Sequence, residues 1–269
     1  MLRVLSYNIR FGGSGREAKI ASVIRRVAPD VVMLQEASDV KVVETLAELS
    51  GMPYWGARAG FSTGFLSREP LQEHTWHHPR GARHAFLELV LPLDEGRLYG
   101  LHLNPWFSKW SEQRRAREIR QLLDSIREHQ HGFHVIAGDF NALAPGAVLD
   151  TSHMPRWIQA MVWISGRDIA RETIEVLLNA NYTDAFRTLH ADDPGHTFPT
   201  WNPHVRLDYL FTPERYAHQL ISCSVLRDVP DAKEASDHYP LVVDFNMRTA
   251  TVTPISAHTQ ARNSAQSPD

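Results

Sequence analysis

Two short polar clusters stand far apart in this sequence, each against an apolar run. Gly138-Asp139-Phe140-Asn141 follows Phe133-His134-Val135-Ile136-Ala137, and Ser236-Asp237-His238 precedes Leu241-Val242-Val243-Asp244-Phe245. Asn8, Glu36 and His102 stand at or near the ends of other apolar runs, and Asp208 lies inside one, Arg206-Leu207-Asp208-Tyr209-Leu210. Carboxylates with amide carbonyls are hard oxygen donors, suited to Mg²⁺ or Mn²⁺ and poor for zinc. A hard dication with few protein ligands keeps waters and takes a phosphate oxygen readily. Asp208 in an apolar strand needs a partner, because burying a lone carboxylate is very costly. His238 is the natural one, and an Asp–His pair orients an imidazole and stabilises its charged form. Taken singly, a strand-end Asp or Asn is more often a turn former or helix cap. Taken together, a metal, an imidazole and an Asp-Asn tip suit hydrolysis of a phosphate ester.

Such a pocket needs strands that end together. Leu2 to Ile9 and Val31 to Gln35 read as strands, with an apolar helical face over Arg16 to Val27 between them. Ser38 is a candidate cap for a helix running to about Leu49, which Gly51 terminates. The rhythm then changes to four strands: Ser62 to Leu66, Leu71 to Trp76, Ala85 to Leu91 and Leu98 to Leu103. Pro92-Leu93-Asp94-Glu95-Gly96 suits a hairpin connection. A long helix is predicted over about Trp110 to His129, and the strand into Gly138 follows it. Arg206 to Phe211, Gln219 to Leu226 and Leu241 to Phe245 read as the last strands. The expected architecture is an α/β sandwich of two sheets flanked by helices.

Six segments resemble, in order, the motifs of the endonuclease/exonuclease/phosphatase superfamily. They are Ser6-Tyr7-Asn8-Ile9, Leu34-Gln35-Glu36, Leu101-His102-Leu103, Gly138-Asp139-Phe140-Asn141, Arg206-Leu207-Asp208-Tyr209 and Ser236-Asp237-His238. The resemblance runs from about residue 2 to residue 246. It implies a four-layer α/β/β/α sandwich of two mixed, largely antiparallel sheets, with Mg²⁺-dependent phosphoesterase activity. It implies that Glu36 holds the metal, with Asn8 and Asp237 near it. Asp139 and Asn141 would position or activate the attacking water and hold the phosphate. His238, oriented by Asp208, would contact the scissile phosphate or move a proton. His102 is similar to the histidine of the deoxyribonuclease and sphingomyelinase branches, where it is a phosphate contact or acid. The pancreatic-type deoxyribonucleases support that histidine with an earlier Glu, and the corresponding stretch here, Pro79-Arg80-Gly81-Ala82-Arg83-His84, has none.

The bulk of the chain agrees with this reading. Its 269 residues can bury a full core in one domain, expected over residues 1–247. Residues 248–269 are rich in Thr, Ala, Ser, Gln and Pro and are expected to be a disordered tail. A net charge of −3 argues against a protein that grips long duplex DNA through its phosphates alone. The single Cys223 excludes an internal disulfide and a cysteine-rich metal site. No apolar run approaches the roughly 20 residues of a membrane span, so no integral membrane association is expected. The opening residues lack a leader pattern, and a cytoplasmic protein with no obligate protein partner is the expectation.

Three segments carry two readings each. Trp106, Phe107 and Trp110 either meet a base or lipid chain, or pack the start of the long helix. Met154 to Ile164 reads as a core or lid helix, with substrate recognition or a membrane-surface contact as the alternative. Phe198, Trp201 and His204 flank the phosphate site or only pack their loop. Arg114, Arg115, Arg117 and Arg120 read as a solvated helix face interleaved with Glu112 and Glu118. The leading function is a metal-dependent phosphodiesterase or nuclease acting on nucleic acid or nucleotides. The alternatives are a phospholipid or inositol-phosphate phosphoesterase, and a catalytically silent binding protein of the same fold.

Overall fold

The computed structural model describes residues 1–92, 96–147 and 171–247. Strand alternation sets its layers. Along β1 (Leu2–Asn8), Leu2 and Val4 face one way, while Leu5 and Tyr7 face the other. Neighbouring β2 (Val31–Gln35) divides likewise, with Val31 and Met33 opposite in sense to Val32 and Leu34. Each sheet is therefore apolar on both faces and must be covered on both.

The first sheet has the order β11 (Leu220–Val225), β12 (Leu241–Phe245), β1, β2, β4 (Thr63–Ser67), β3 (Tyr54–Ala57). The second runs β5 (Glu73–His77), β6 (Phe86–Val90), β7 (Arg97–His102), β8 (His134–Asp139), β10 (Asp208–Pro213), β9 (Tyr182–Asp184). One parallel pair sits in each sheet, β1 with β2 and β7 with β8, and the other pairings are antiparallel. A parallel pair needs a crossover, and a helix supplies it in both cases. These are α1 (Glu17–Val27) and α3 (Lys109–Ser125).

Three apolar layers separate four structural ones. Ile20, Val23 and Ile24 of α1, with Val43 and Leu46 of α2 (Val40–Ser50), bury the outer face of the first sheet. Val4, Met33, Leu98, Val135, Leu210 and Val243 fill the space between the sheets. Ile119 and Leu122 of α3, with Ile174 and Leu177 of α4 (Glu172–Asn179), cover the second sheet. The two sheets and their flanking helices form the expected sandwich.

Several local expectations change. Asp39, not Ser38, caps α2: its carboxylate accepts from Lys41 N at 3.0 Å, while Ser38 N is already bonded to Glu36 O in a tight turn. Two edge strands, β3 and β9, have no counterpart in the sequence reading. Each is too short to show alternation, at four and three residues. The long helix ends at Ser125, and a 3₁₀ turn, Arg127–His129, follows it. Most of the hairpin expected over 92–96, the apolar segment 154–164 and the tail 248–269 lie outside the described residues.

Candidate active site

Register brings the polar strand ends to one rim. Asn8 pairs with Gln35 across the parallel β1–β2 pair, so Asn8 and Glu36 leave the first sheet side by side. Leu241 pairs with Ser6 across β12 and β1, which delivers residues 236–238 to the same end. In the second sheet both His102 and Asp208 lie opposite Asp139. Parity then fixes direction. Asp139 continues the inward series of Val135 and Ala137, and Asp208 and His102 share the parity of the inward Leu210 and Leu98. Asn8 continues that of Leu2 and Val4. The side chains accordingly converge in the mouth between the sheets.

The bonds are specific. Asn8 Nδ2 donates to Asp139 Oδ2 at 2.9 Å, and Asn8 Oδ1 accepts from Arg10 N at 2.9 Å. Asn141 N donates to Asp139 Oδ1 at 2.9 Å, and Asn141 Nδ2 donates to Leu103 O at 2.9 Å. His238 Nδ1 lies 2.8 Å from Asp208 Oδ2. The Nε2 atoms of His238 and His102 each stand 3.8 Å from Asp139 Oδ2. Ser236 Oγ donates to Asn8 O at 2.6 Å and fastens the His238 loop to β1.

Backbone geometry supports the same rim. Glu36 and Asn141 hold left-handed φ values of 55° and 49°. Such positions cost about 1–3 kcal/mol for most residues, less for Asn, and cluster where function demands them. Gly138 has φ +148°, and a Cβ there would meet Leu101 O at 2.0 Å. Only glycine lets β7 and β8 close up just before Asp139.

Burial and charge set the protonation states. Burial alone would lower the pKa of His238, but Asp208 and Asp139 outweigh it and raise it to about 10. Burial pushes the Asp139 carboxyl up to about 7, against the opposing pull of His238. His102 is driven down to about 4, chiefly by burial, with Glu36 pulling the other way. Asp237 is raised by burial, and repulsion from Glu36 adds to this while His238 and Arg10 oppose it. At neutral pH the site thus holds a charged His238, a neutral His102 and an Asp139 poised to exchange a proton.

Two groups of residues offer ligand atoms for a metal, and they differ in fit. Asp139, Asp208 and His238 present atoms within 4.8 Å of one another. Yet Asp208 and His238 already bond each other, and a charged imidazole has no lone pair to give. Glu36, Asn8 and Asp237 offer oxygen alone. One Glu36 oxygen accepts from Phe11 N at 2.6 Å, while the other carries no hydrogen bond among the described residues. Its carboxylate repels that of Asp237. A hard dication suits this second set, which offers oxygen alone, keeps one Glu36 oxygen unbonded among the described residues and sets two carboxylates against each other. The buried triad suits a proton.

The eight expected residues are therefore gathered at one rim. Three neighbours escaped the sequence reading. Arg10 Nε lies 3.3 Å from Asp237 Oδ2. Beside His102, whose buried Nδ1 has no hydrogen-bond partner among the described residues, stands His84, close enough to disfavour its protonated form. Glu118 of α3 holds that stretch, accepting from Arg83 N at 3.0 Å and lying 3.1 Å from His84 Nδ1. The carboxylate sought in that stretch as a support for His102 is not found; Glu118, from a helix, holds His84 instead. The usable signal was helical: Arg115, Glu118 and Leu122 share one face, and all three are buried. The solvated reading of this helix holds for Arg114, Arg117 and Arg120 but fails for Arg115, Glu112 and Glu118. Arg115 is 1% exposed and binds Glu112 Oε2 at 2.7 Å.

The sequence profile of the Endonuclease/Exonuclease/phosphatase family matches residues 5–238, which span every residue of this site, and the chain belongs to that family. Solved structures share its fold. The 3' phosphatase NExo from Neisseria, bound to product DNA hairpin, superposes with a TM-score of 0.71 at 17% identity, covering 91% of this chain and 100% of that one. An AP endonuclease from Archaeoglobus fulgidus gives 0.70 at 17% identity with the same coverages. A humanized TDP2 from D. rerio gives 0.63 at 18%, over 91% and 98%. No curated protein matches this chain in sequence.

Proposed function

We propose that this protein hydrolyses phosphodiesters of nucleic acid, as a nuclease or phosphodiesterase that works with Mg²⁺ or Mn²⁺. The observation that carries this is the buried polar cluster at the rim, in which Asn8 bonds Asp139, Asp208 bonds His238, and His238 Nε2 stands 3.8 Å from Asp139. The solved relatives named above include a phosphatase bound to DNA and an AP endonuclease, which favours a nucleic-acid substrate. Glu36, with Asn8 and Asp237, would hold the cation. When bound, it would neutralise phosphate charge.

The chain's own residues divide the remaining work. Asp139, with its carboxyl near neutrality, accepts the proton of the attacking water, and the Asn8 amide holds its Oδ2 in place. The His238 imidazolium, oriented by Asp208, faces the charge that grows on the phosphoryl oxygens. Asn141 fixes Asp139 through its backbone N–H. Neutral His102 can donate one hydrogen bond to a phosphate oxygen.

Hydrolysis of bis(p-nitrophenyl) phosphate, with Mg²⁺ and with EDTA, tests the reaction. Oligonucleotide, nucleotide, sphingomyelin and inositol-phosphate substrates then test the class. Turnover in Mg²⁺ that EDTA abolishes is expected, with oligonucleotides preferred. No turnover of any of them would leave a binding protein of the same fold.

A further inference from the structure

Exposed aromatic residues are unevenly placed on this protein. Among the described residues, the large exposed aromatics are Phe11, Tyr54, Trp106, Trp110 and Trp201. Four of these five belong to loops or helix starts that follow or precede catalytic-rim residues. Phe11 follows Asn8 and binds Glu36 through its N–H. Trp201 packs against Phe198, whose ring lies 4.8 Å from that of His238. Trp106 and Trp110 come just after His102. Their neighbour Phe107 packs inward against the Leu143, Val205 and Leu207 cluster, so these two tryptophans are left outside by choice of position.

Trp106 and Trp110 line a groove of about 440 Å³ together with Arg83, Arg114 and Arg117. Trp106 is 57% exposed and Trp110 85%. Arg83 and Arg117 are exposed and form no ion pair among the described residues. The single acid of the groove, Glu118, is engaged by Arg83 N, His84 and Arg114. The groove is therefore cationic on a chain whose net charge is −3. Its wall is also rigid. Buried Arg115 donates through Nη1 to Asn104 O at 2.7 Å and to Trp106 O at 2.8 Å, and Asn104 Oδ1 accepts from Trp106 N at 2.9 Å. A fully buried ion pair thus anchors the loop that exposes a tryptophan.

We infer that this groove binds an unpaired strand of nucleic acid, with bases stacked on Trp106 and Trp110 and backbone phosphates on Arg83, Arg114 and Arg117. Aromatic faces take any base, and guanidinium groups follow the backbone, the combination by which single strands are held without sequence readout. Base faces are hidden inside a duplex, so a paired strand cannot use the tryptophans. Asn104, which lines the groove, stands two residues beyond His102 in the chain. The inference rests on the nucleic-acid reading above and narrows it to single-stranded segments.

Fluorescence anisotropy of a labelled oligothymidylate of about ten nucleotides, with the full chain in EDTA, reads binding without cleavage. Trp110→Ala should weaken binding about tenfold, and Trp110→Phe should recover much of the loss. Arg117→Gln should reduce the slope of log affinity against log salt by about 0.7. Both side chains are exposed, so neither change threatens the fold. Unchanged affinity and slope in these variants would overturn the inference, as would an equal loss for a blunt duplex. Capture of phosphatidylserine vesicles that depends on Trp110, with oligonucleotide binding unaltered, would assign the groove to a membrane surface and overturn it too. Bis(p-nitrophenyl) phosphate separates the two levels. A wild-type protein that cleaves it, but binds the oligonucleotide no better than Trp110→Ala does, loses only the groove. A wild-type protein that cleaves neither loses the proposed reaction.

Discussion

The amide of Asn8, at the end of β1, donates to the carboxylate of Asp139, at the end of β8, and the two residues lie in different sheets. A neutral donor against a buried carboxylate is what the site requires. Asn8→Asp would place a second carboxylate against the first, and two such neighbours cannot both ionise. The variant should lose about 2–3 kcal/mol of stability at pH 7. It should recover part of this at pH 5, where the pair shares a proton. Urea unfolding at the two pH values checks it, and equal losses would show that the contact is solvated.

The Asp208–His238 pair gives a sharper expectation. In the wild type the imidazole of His238 should stay charged from pH 6 to pH 8, as histidine NMR can follow. Its pKa is raised, so its stabilisation is present below the ordinary value near 6.5 and fades only as pH climbs through about 10. In Asp208→Asn the fold should survive, the imidazole should titrate lower, and the rate should fall about 10²–10⁴-fold. His238→Ala should do similar damage, and the double variant should be little worse than either. Losses that simply multiply would mean that the two residues act separately.

Glu36→Gln keeps the shape of the side chain and removes its charge. Mn²⁺ binding, followed by calorimetry, should weaken by at least about tenfold, the order expected when a charged ligand to a hard cation is lost. Activity at low Mg²⁺ should collapse and return in part at high Mg²⁺. Full wild-type affinity in this variant would remove Glu36 from the cation site.

In the second sheet, Glu88 of β6 is held by His77 at 2.6 Å, Arg97 at 2.7 Å and Tyr99 at 3.2 Å. Burial would raise its pKa, but His77 and Arg97 lower it to about 2. The depressed value means stability that is present above the unfolded carboxyl pKa and lost as pH falls through about 2. Glu88→Gln should cost about 1–3 kcal/mol at pH 7. The gap from wild type should shrink steadily from pH 5 toward pH 2. A constant gap would show that the carboxylate is not charged in this role.

Much of the site was readable because strand parity and strand ends are local properties. Asp139, His102 and Asp208 each sit in or at the end of an apolar run, which marks them as candidates, whereas the face each points from depends on how the two sheets pack. The six ordered motifs supplied the pairing that local pattern lacks. What escaped depended on approach between distant segments. Glu118 reaches His84 from another element, so no spacing near His84 announces it. Arg115 and Glu112 looked solvated because charge usually is, whereas here they neutralise each other and clamp a loop. Edge strands β3 and β9 are defined by the neighbour each pairs with, Tyr54 to Ser67 and Tyr182 to Pro213, more than by their own residues.

Ser236 Oγ reaches Asn8 O across 228 positions of chain, and Asn8 reaches Asp139 across 131. Such closures are expected to form late, because long loops must lose their freedom before the contacts that reward them exist. Neither half of the protein can hold a working pocket by itself. A refolding chain should regain its secondary structure well before it regains turnover. Any nick or partly folded species that lacks the last strand should then be inert. For the hydrolase proposed above, chemistry that waits for the final docking of the sheets would be a safeguard that needs no inhibitor.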